Sequence, residues 1–277
     1  MGAALEVISG FTTAAGAAFT GLTMATGNTL AIRNARLDAK VLLCNLWTDH
    51  QVAGEVRVRS PKLHDNVRGI HIRTVISECK PLLPLPSGQR LVPQDVLVVE
   101  QTGSAVGGDI ETASLLLYYE DLPGADARFV GKAECVDRMA QLLTITTTHA
   151  PGAVGGYSGQ VALNSTDDLL KANTDYALIG YHVDVECATV RWQGADTGNL
   201  GVGGPGDELG RDYTAEWFMD LSQKYGLPMI PVFNSANKAG ILVDIAQDEN
   251  AATVRLTSIL AELIPRAGSA GAYQPSR

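Results

Sequence analysis

The stretch ILVDIAQDENAATVRLTSILAEL (residues 241–263), near the end of the chain, gives the first indication of the fold. Its pattern of apolar and polar residues also occurs in an upstream stretch. Two apolar runs flank a polar turn, which is typical of a β-hairpin. The upstream stretch is VLVVEQTGSAVGGDIETASLLLYYEDL (residues 96–122). A hairpin that occurs twice indicates an internal repeat.

Three more pieces repeat in the same order. VLLCNLWTDHQVAGEVRV (residues 41–58) aligns with DYALIGYHVDVECATVRW (residues 175–192), which sets Trp47 over Tyr181 and Arg57 over Arg191. GIHIRTVIS from Gly69 then aligns with EWFMDLS from Glu216, which favours a strand at Trp217 rather than a short helix. A Pro-x-x-Pro motif precedes each hairpin.

The repeat predicts two copies of one β-rich module. Each copy contains seven or eight strand-like runs, separated by turns rich in Gly, Asn, Asp and Pro. We therefore predict an all-β fold of two tandem jelly-roll β-sandwiches with similar topology and few short helices. The predicted divisions are an N-terminal arm (1–19), a first jelly roll (20–124), a linker with a short helix (125–155), a second jelly roll (156–266) and a C-terminal tail (267–277).

Composition excludes several classes of protein. The chain has 277 residues, 45% apolar and 18% charged, so a sizeable core is expected. A net charge of −9 without a basic run argues against a groove for nucleic acid. The first 28 residues lack the basic start of a signal peptide and are too rich in Gly, Thr and Ser for a membrane span.

The four cysteines are widely spaced and form no C-x-x-C motif. This pattern predicts buried free thiols rather than a metal ribbon or a disulfide framework. The set is Cys44, Cys79, Cys135 and Cys187.

The strongest polar cluster is HVDVE. In a strand, His182, Asp184 and Glu186 project from one face and could hold a divalent metal ion. The alternative is a solvated or interface face. Two loop positions, 65–66 and the pair Asp196 and Asn199, could likewise bind a divalent cation at a subunit seam, or simply form turns.

No catalytic motif is present. GVGGPGDELG (residues 201–210) lacks the Lys-Ser/Thr of a phosphate-binding loop and is interpreted as a flexible loop. The nucleophile elbow, the HExxH motif and the EF-hand loop are absent. We therefore predict no enzyme activity and no cofactor.

Tandem sandwiches with similar edges suit a self-assembling tile, since three such chains can close a nearly six-fold ring. In this architecture the chain resembles the double jelly-roll major capsid proteins of tailless icosahedral viruses. The resemblance covers residues 20–266 and has no specific motif. It implies a virion capsid protein that forms pseudo-hexameric homotrimers and contacts minor capsid proteins and an internal membrane. It also implies an inward-facing segment 1–20, and loops 59–66 and 193–210 at seams or towers.

Two other classes are open on the sequence alone. The first is a lectin-like or fibre-head binding protein on a duplicated β-sandwich, which needs an aromatic platform; Trp47, Trp192 and Trp217 instead fall on core positions. The second is an enzyme, with His182, Asp184 and Glu186 as its site.

Overall fold

The first module contains ten strands among the residues that the structure describes. The computed structural model describes residues 2–25, 30, 32–33, 36–62, 69–74, 79–81, 88–122, 128–166, 168–248 and 252–265. The strands are β1 (Gly2–Thr13), β2 (Thr20–Gly21), β3 (Thr23–Met24), β4 (Val41–Asp49), β5 (Glu55–Arg59), β6 (Ile70–Arg73), β7 (Lys80–Pro81), β8 (Gln89–Leu91), β9 (Val98–Thr102) and β10 (Ile110–Leu122).

The second module follows a short connection. The connection holds β11 (Phe129–Val130) and helix α1 (Lys132–Arg138). The module then contains β12 (Met139–His149), β13 (Val161–Ala162), β14 (Asp175–Val183), β15 (Cys187–Gln193), β16 (Val202–Gly206), α2 (Arg211–Thr214), α3 (Trp217–Tyr225), β17 (Ile230–Asn234), β18 (Leu242–Ala246) and β19 (Val254–Leu263).

The two modules have the same strand order. In the first module, one sheet runs β1-β10-β4, with β7 and β8 on β4, and the other runs β2-β9-β5-β6. In the second, one sheet runs β12-β19-β14-β17 and the other β13-β18-β15-β16. When β7 and β8 are counted as one strand and β3 is left out, each module has eight strands in this topology. Numbered 1 to 8 in chain order within each module, these strands form one sheet with the order 1-8-3-6 and another with the order 2-7-4-5 in both modules. This is the jelly-roll order, and it confirms the predicted fold class.

The N-terminal segment is part of the fold rather than an arm. β1 pairs with β10 from Gly2 to Thr13 and carries β3 on its other edge. The sequence of β1 does not show the alternation of apolar and polar residues that marks a strand, because both faces of β1 are largely buried. The first module therefore begins with β1, and the second begins with β12 inside the predicted linker. The predicted tail (267–277) lies outside the described residues.

Two further expectations differ from the structure. Trp217 begins helix α3, not a strand, and the helix ends at Gly226, which has a left-handed φ of 64°. The counterpart of β6 is instead β16, inside the segment predicted as a flexible loop. Its glycines permit close packing: a Cβ on Gly203 would lie 1.9 Å from the carbonyl oxygen of Val190.

The hydrophobic core has two parts. One fills the first module between its sheets and includes Val41, Leu43, Val58 and Leu115. The other begins on the outer surface of the first module, at Leu5 and Trp47, and continues through the second module. All nine residues of β4 are buried, so the first module has a covered outer face as well as a packed interior. The four cysteines are free and buried, as predicted.

Candidate assembly interface

The two modules are joined through the outer face of β1, β10 and β4. We call this surface the hydroxyl face, because Ser9 and Ser114 lie at its centre with their Oγ atoms 2.8 Å apart. The hydroxyl of Thr189 on β15 completes a triangle, 3.1 Å from Ser9 Oγ and 2.7 Å from Ser114 Oγ. Trp47 Nε1 donates to the carbonyl of Ala188 at 2.9 Å and lies 3.0 Å from Thr189 Oγ1.

Backbone contacts surround this centre. The N–H of Val7 donates to the carbonyl of Gly201 at 2.8 Å. Cys79 N–H donates to Glu186 Oε1 at 2.9 Å, and the hydroxyl of Tyr225 donates to the carbonyl of Cys44. Since these groups are paired and the apolar core is continuous, the contact resembles a protein interior rather than a wet interdomain surface.

The second module carries an equivalent hydroxyl face on β12, β19 and β14. The bulge at Cys44 on β4 lies opposite Leu116 and Leu117 of β10, and the bulge at Ile179 on β14 lies in the same way opposite Ile259 and Leu260 of β19, which fixes the register. Ser9 and Ser114 then correspond to Thr146 and Thr257. The two threonine hydroxyls lie 2.9 Å apart and reproduce the serine pair.

The central strands differ slightly from the sequence alignment. β4 is bulged at Cys44 and β14 at Ile179, one residue later than the sequence match requires. Trp47 therefore corresponds to His182 and not to Tyr181, which points into the core and donates to Pro205.

A cavity of about 330 Å³ lies beside this second hydroxyl pair. Its lining comprises Thr146, His182, Val183, Asp184, Arg211, Arg255 and Thr257. Nδ1 of His182 is buried and has no hydrogen-bond partner among the described residues. Burial and the charge of Arg211 lower the pKa of His182, so the imidazole tends to be neutral. Arg211 and Arg255 form no side-chain ion pair within the described part of the chain.

The opposite surface of each module is also duplicated. We call it the ion-pair face: the outer surface of β5 and β9 in the first module, and of β15 and β18 in the second. Arg57 pairs with Glu100 at 2.6 Å, and Arg191 pairs with Asp244 at 2.5 Å, at equivalent cross-strand positions.

Each of these arginines also lies over an aromatic ring. Arg57 is 4.0 Å from the ring centroid of Phe19, and Arg191 is 3.5 Å from that of Tyr157. The same three-part unit therefore occurs on both ion-pair faces. The copy on the second module is buried against the first module, and the copy on the first is somewhat more exposed, with Arg57 at 23% and Glu100 at 13%.

The structure brings two of the three predicted metal ligands, His182 and Asp184, to the same cavity and places Glu186 elsewhere. His182 is on β14, which ends at Val183, so the chain turns before Glu186. Asp184 Oδ1 accepts the N–H of Arg255 at 2.7 Å. Glu186 points towards Cys79, and burial raises its pKa to about 7. Within the described ranges, no group of three or more His, Cys, Asp or Glu side chains is arranged to hold a metal ion.

One of the two loop positions predicted as cation sites lies among the described residues. Asp196 Oδ2 accepts from the N–H of Asn234 at 3.0 Å and from Asn237 Nδ2 at 3.2 Å, which is a loop-fixing role. Residues 65–66 lie outside the described residues.

Sequence reasoning missed a buried polar network inside the first module. His50 Nε2 contacts Gln101 Oε1 at 3.0 Å, Thr74 contacts its Nδ1 at 3.1 Å, and Glu111 lies 3.6 Å from the same nitrogen. Isolated polar residues in apolar strands are the sequence signal for such a network. Its members are all buried, and His50, Gln101 and Glu111 have no solvent-exposed surface, which fits a structural role.

Comparisons with known proteins add little. No protein-family model matches the chain, and no curated protein matches it. A solved structure with similarity is the crystal structure of PBSX exported protein XepA, with 8% sequence identity and a TM-score of 0.27. That match covers 92% of this chain and 86% of the other. Among the described helices, none is long and apolar enough to cross a membrane.

Proposed function

We propose that this protein is a structural, self-assembling shell protein, whose copies join the hydroxyl face of one chain to the ion-pair face of the next. A homotrimeric major capsid protein of a tailless icosahedral virus, located in the virion, fits this behaviour and the family that the sequence resembles. An internal membrane and minor capsid proteins are the further partners that the resemblance implies.

One comparison carries the proposal. Leu5 on β1 and Leu142 on β12 occupy equivalent positions on the two hydroxyl faces. Leu5 is fully buried under the second module, whereas Leu142 is 57% exposed. An exposed leucine at the counterpart of a buried contact is the pattern expected of a surface that a partner covers.

The chain also leaves a matching partner surface open. Its internal contact uses the hydroxyl face of the first module and the ion-pair face of the second. Within the described part of the chain, neither the hydroxyl face of the second module nor the ion-pair face of the first packs against the other module, and the two faces lie at opposite ends of the molecule. Repeating the same contact between chains is a head-to-tail association, which produces a closed ring if the rotation closes. Three chains then supply six similar contacts.

The alternative of a lectin-like or fibre-head protein gains no support from the aromatic residues. Trp47, Trp192 and Trp217 are at most 5% exposed, and each indole N–H has a partner inside the protein. They are therefore not available as a platform for a sugar.

The experiment is size-exclusion chromatography with light scattering, followed by negative-stain microscopy. We expect the wild-type protein to be a trimer or larger, and Leu142→Glu to be monomeric because it buries a carboxylate in the contact. Val106→Glu is the matched control, since Val106 is 62% exposed on the β9–β10 hairpin loop. A wild-type protein that remains monomeric at high concentration contradicts the proposal.

A further inference from the structure

The cavity beside His182 has an occupied counterpart in the same chain. In the first module, the Ser9–Ser114 hydroxyl pair and Trp47 together bind the side chain of Thr189. In the second module, the equivalent Thr146–Thr257 pair and His182 line open space. The occupied site therefore shows which residue of an ion-pair face would enter the open cavity of the second module.

The residue equivalent to Thr189 in the first module is Glu55. The aligned pairs Arg191–Asp244 and Arg57–Glu100 fix the register of β15 on β5. Two residues before the arginine, β15 carries Thr189 and β5 carries Glu55. The Glu55 side chain is 34% exposed; its carboxylate lies 2.9 Å from His71 Nε2 and 3.7 Å from Nε of the 90% exposed Arg73.

The two sites differ in size and charge in a complementary way. Thr189 is short and neutral, and its site contains only hydroxyls and an indole. Glu55 is longer and anionic, and its candidate site is a cavity with Arg211 and Arg255 in its wall. Asp184 is the opposing charge, and its Oδ1 is already engaged by the N–H of Arg255. Two cations against one carboxylate leave the cavity positive.

We propose that the carboxylate of Glu55 from a second copy of this chain enters the cavity formed by Thr146, His182 and Thr257, where Arg211 and Arg255 pair with it. The inference depends on the proposed head-to-tail assembly and names its central contact. A carboxylate held by two guanidinium groups away from bulk water is a strong, orientation-specific interaction. The contact also differs from the internal one in being ionic, so it weakens as salt rises.

Charge reversal and charge exchange test this contact. Glu55→Arg places a cation against Arg211 and Arg255, and we expect trimer association to weaken on the order of 100-fold. The double variant Arg211→Glu with Arg255→Glu should weaken it similarly. Combining all three substitutions in one chain restores the opposite charges and should recover the trimer. Sedimentation velocity measures all four states.

A matched control keeps the outcomes distinct. Asp137→Arg makes the same charge change at an exposed site on α1, beyond the start of β12 at Met139, which is about 23 Å from Thr146 at 3.3 Å per residue, and should leave the trimer intact. Unchanged thermal unfolding of each variant shows that the fold is preserved. If the wild type is a trimer, two results would overturn this inference alone. One is a Glu55→Arg variant that is still a trimer, and the other is a triple variant that does not regain the trimer. A monomeric wild type overturns the proposed function instead.

Discussion

The two hydroxyl faces share a framework and differ in what surrounds it. Both have a pair of hydroxyls at the same register and a leucine at the same position, Leu5 or Leu142. Around the first pair lies Trp47, dry and covered by the second module. Around the second lies His182, with arginines in place of neutral side chains.

This difference has a physical reason. A contact inside one chain never separates, so it is free to use buried aromatic and small polar groups without cost to solubility. A surface that must remain in water before it meets a partner requires charge to prevent nonspecific association. In the proposed assembly, a duplicated fold keeps one face permanently buried and adapts its twin for contact between molecules.

The largest effects should be equal in the two modules, since both interiors are jelly-roll cores. Leu43 and Leu178 occupy equivalent inward positions and are at most 2% exposed. Leu43→Asp and Leu178→Asp should each abolish soluble expression, because an unpaired buried carboxylate costs several kcal/mol against a stability of about 5–15 kcal/mol. Val106→Asp is the exposed control. Normal folding of either core variant would mean that the interior faces are misassigned.

The next largest effect on stability should differ strongly between the two hydroxyl faces. Trp47→Ala removes a side chain from the contact between the modules and should lower the free energy of unfolding by about 3–5 kcal/mol. His182→Ala, at the equivalent open position, should change it by less than about 0.5 kcal/mol in the monomer. Urea unfolding measures both. Similar losses for the two variants would remove the distinction between a covered and an open face.

The smallest effect concerns pH at the covered boundary. The pKa of Glu186 is raised from 4.5 to about 7 by burial, so the folded protein binds a proton more tightly than the unfolded chain. Stability therefore falls as pH rises from about 4.5 to 7 and remains lower above that.

Glu186→Gln removes this loss and preserves an acceptor for Cys79 N–H. We expect about 1–2 kcal/mol of stabilisation at pH 8 and none near pH 4, measured by thermal unfolding at both values. Glu120→Gln, at an exposed position, is the control. Equal shifts at the two pH values would show that Glu186 does not titrate as described.

Part of the interface could be anticipated from the sequence. The aligned arginines Arg57 and Arg191 mark equivalent strands, and the match at residues 41–58 and 175–192 coincides with β4–β5 and β14–β15. The match at Trp217 failed, because apolar residues at Trp217, Met219 and Leu221 fit a strand and a short helix equally well. The predicted grouping of His182, Asp184 and Glu186 failed because β14 ends before the last two.

What the sequence by itself determined is the duplication, the all-β class and the buried thiols, because these follow from local alternation, turn residues and composition. Only the tertiary structure decided that residues 2–13 complete the first jelly roll and that one hydroxyl face is covered while its twin is open. It also decided that Trp47 and His182 occupy equivalent positions, because the bulge on β14 lies one residue later than the sequence alignment with β4 requires. Such facts depend on strand pairing and packing between residues distant in the chain, and no local pattern records them.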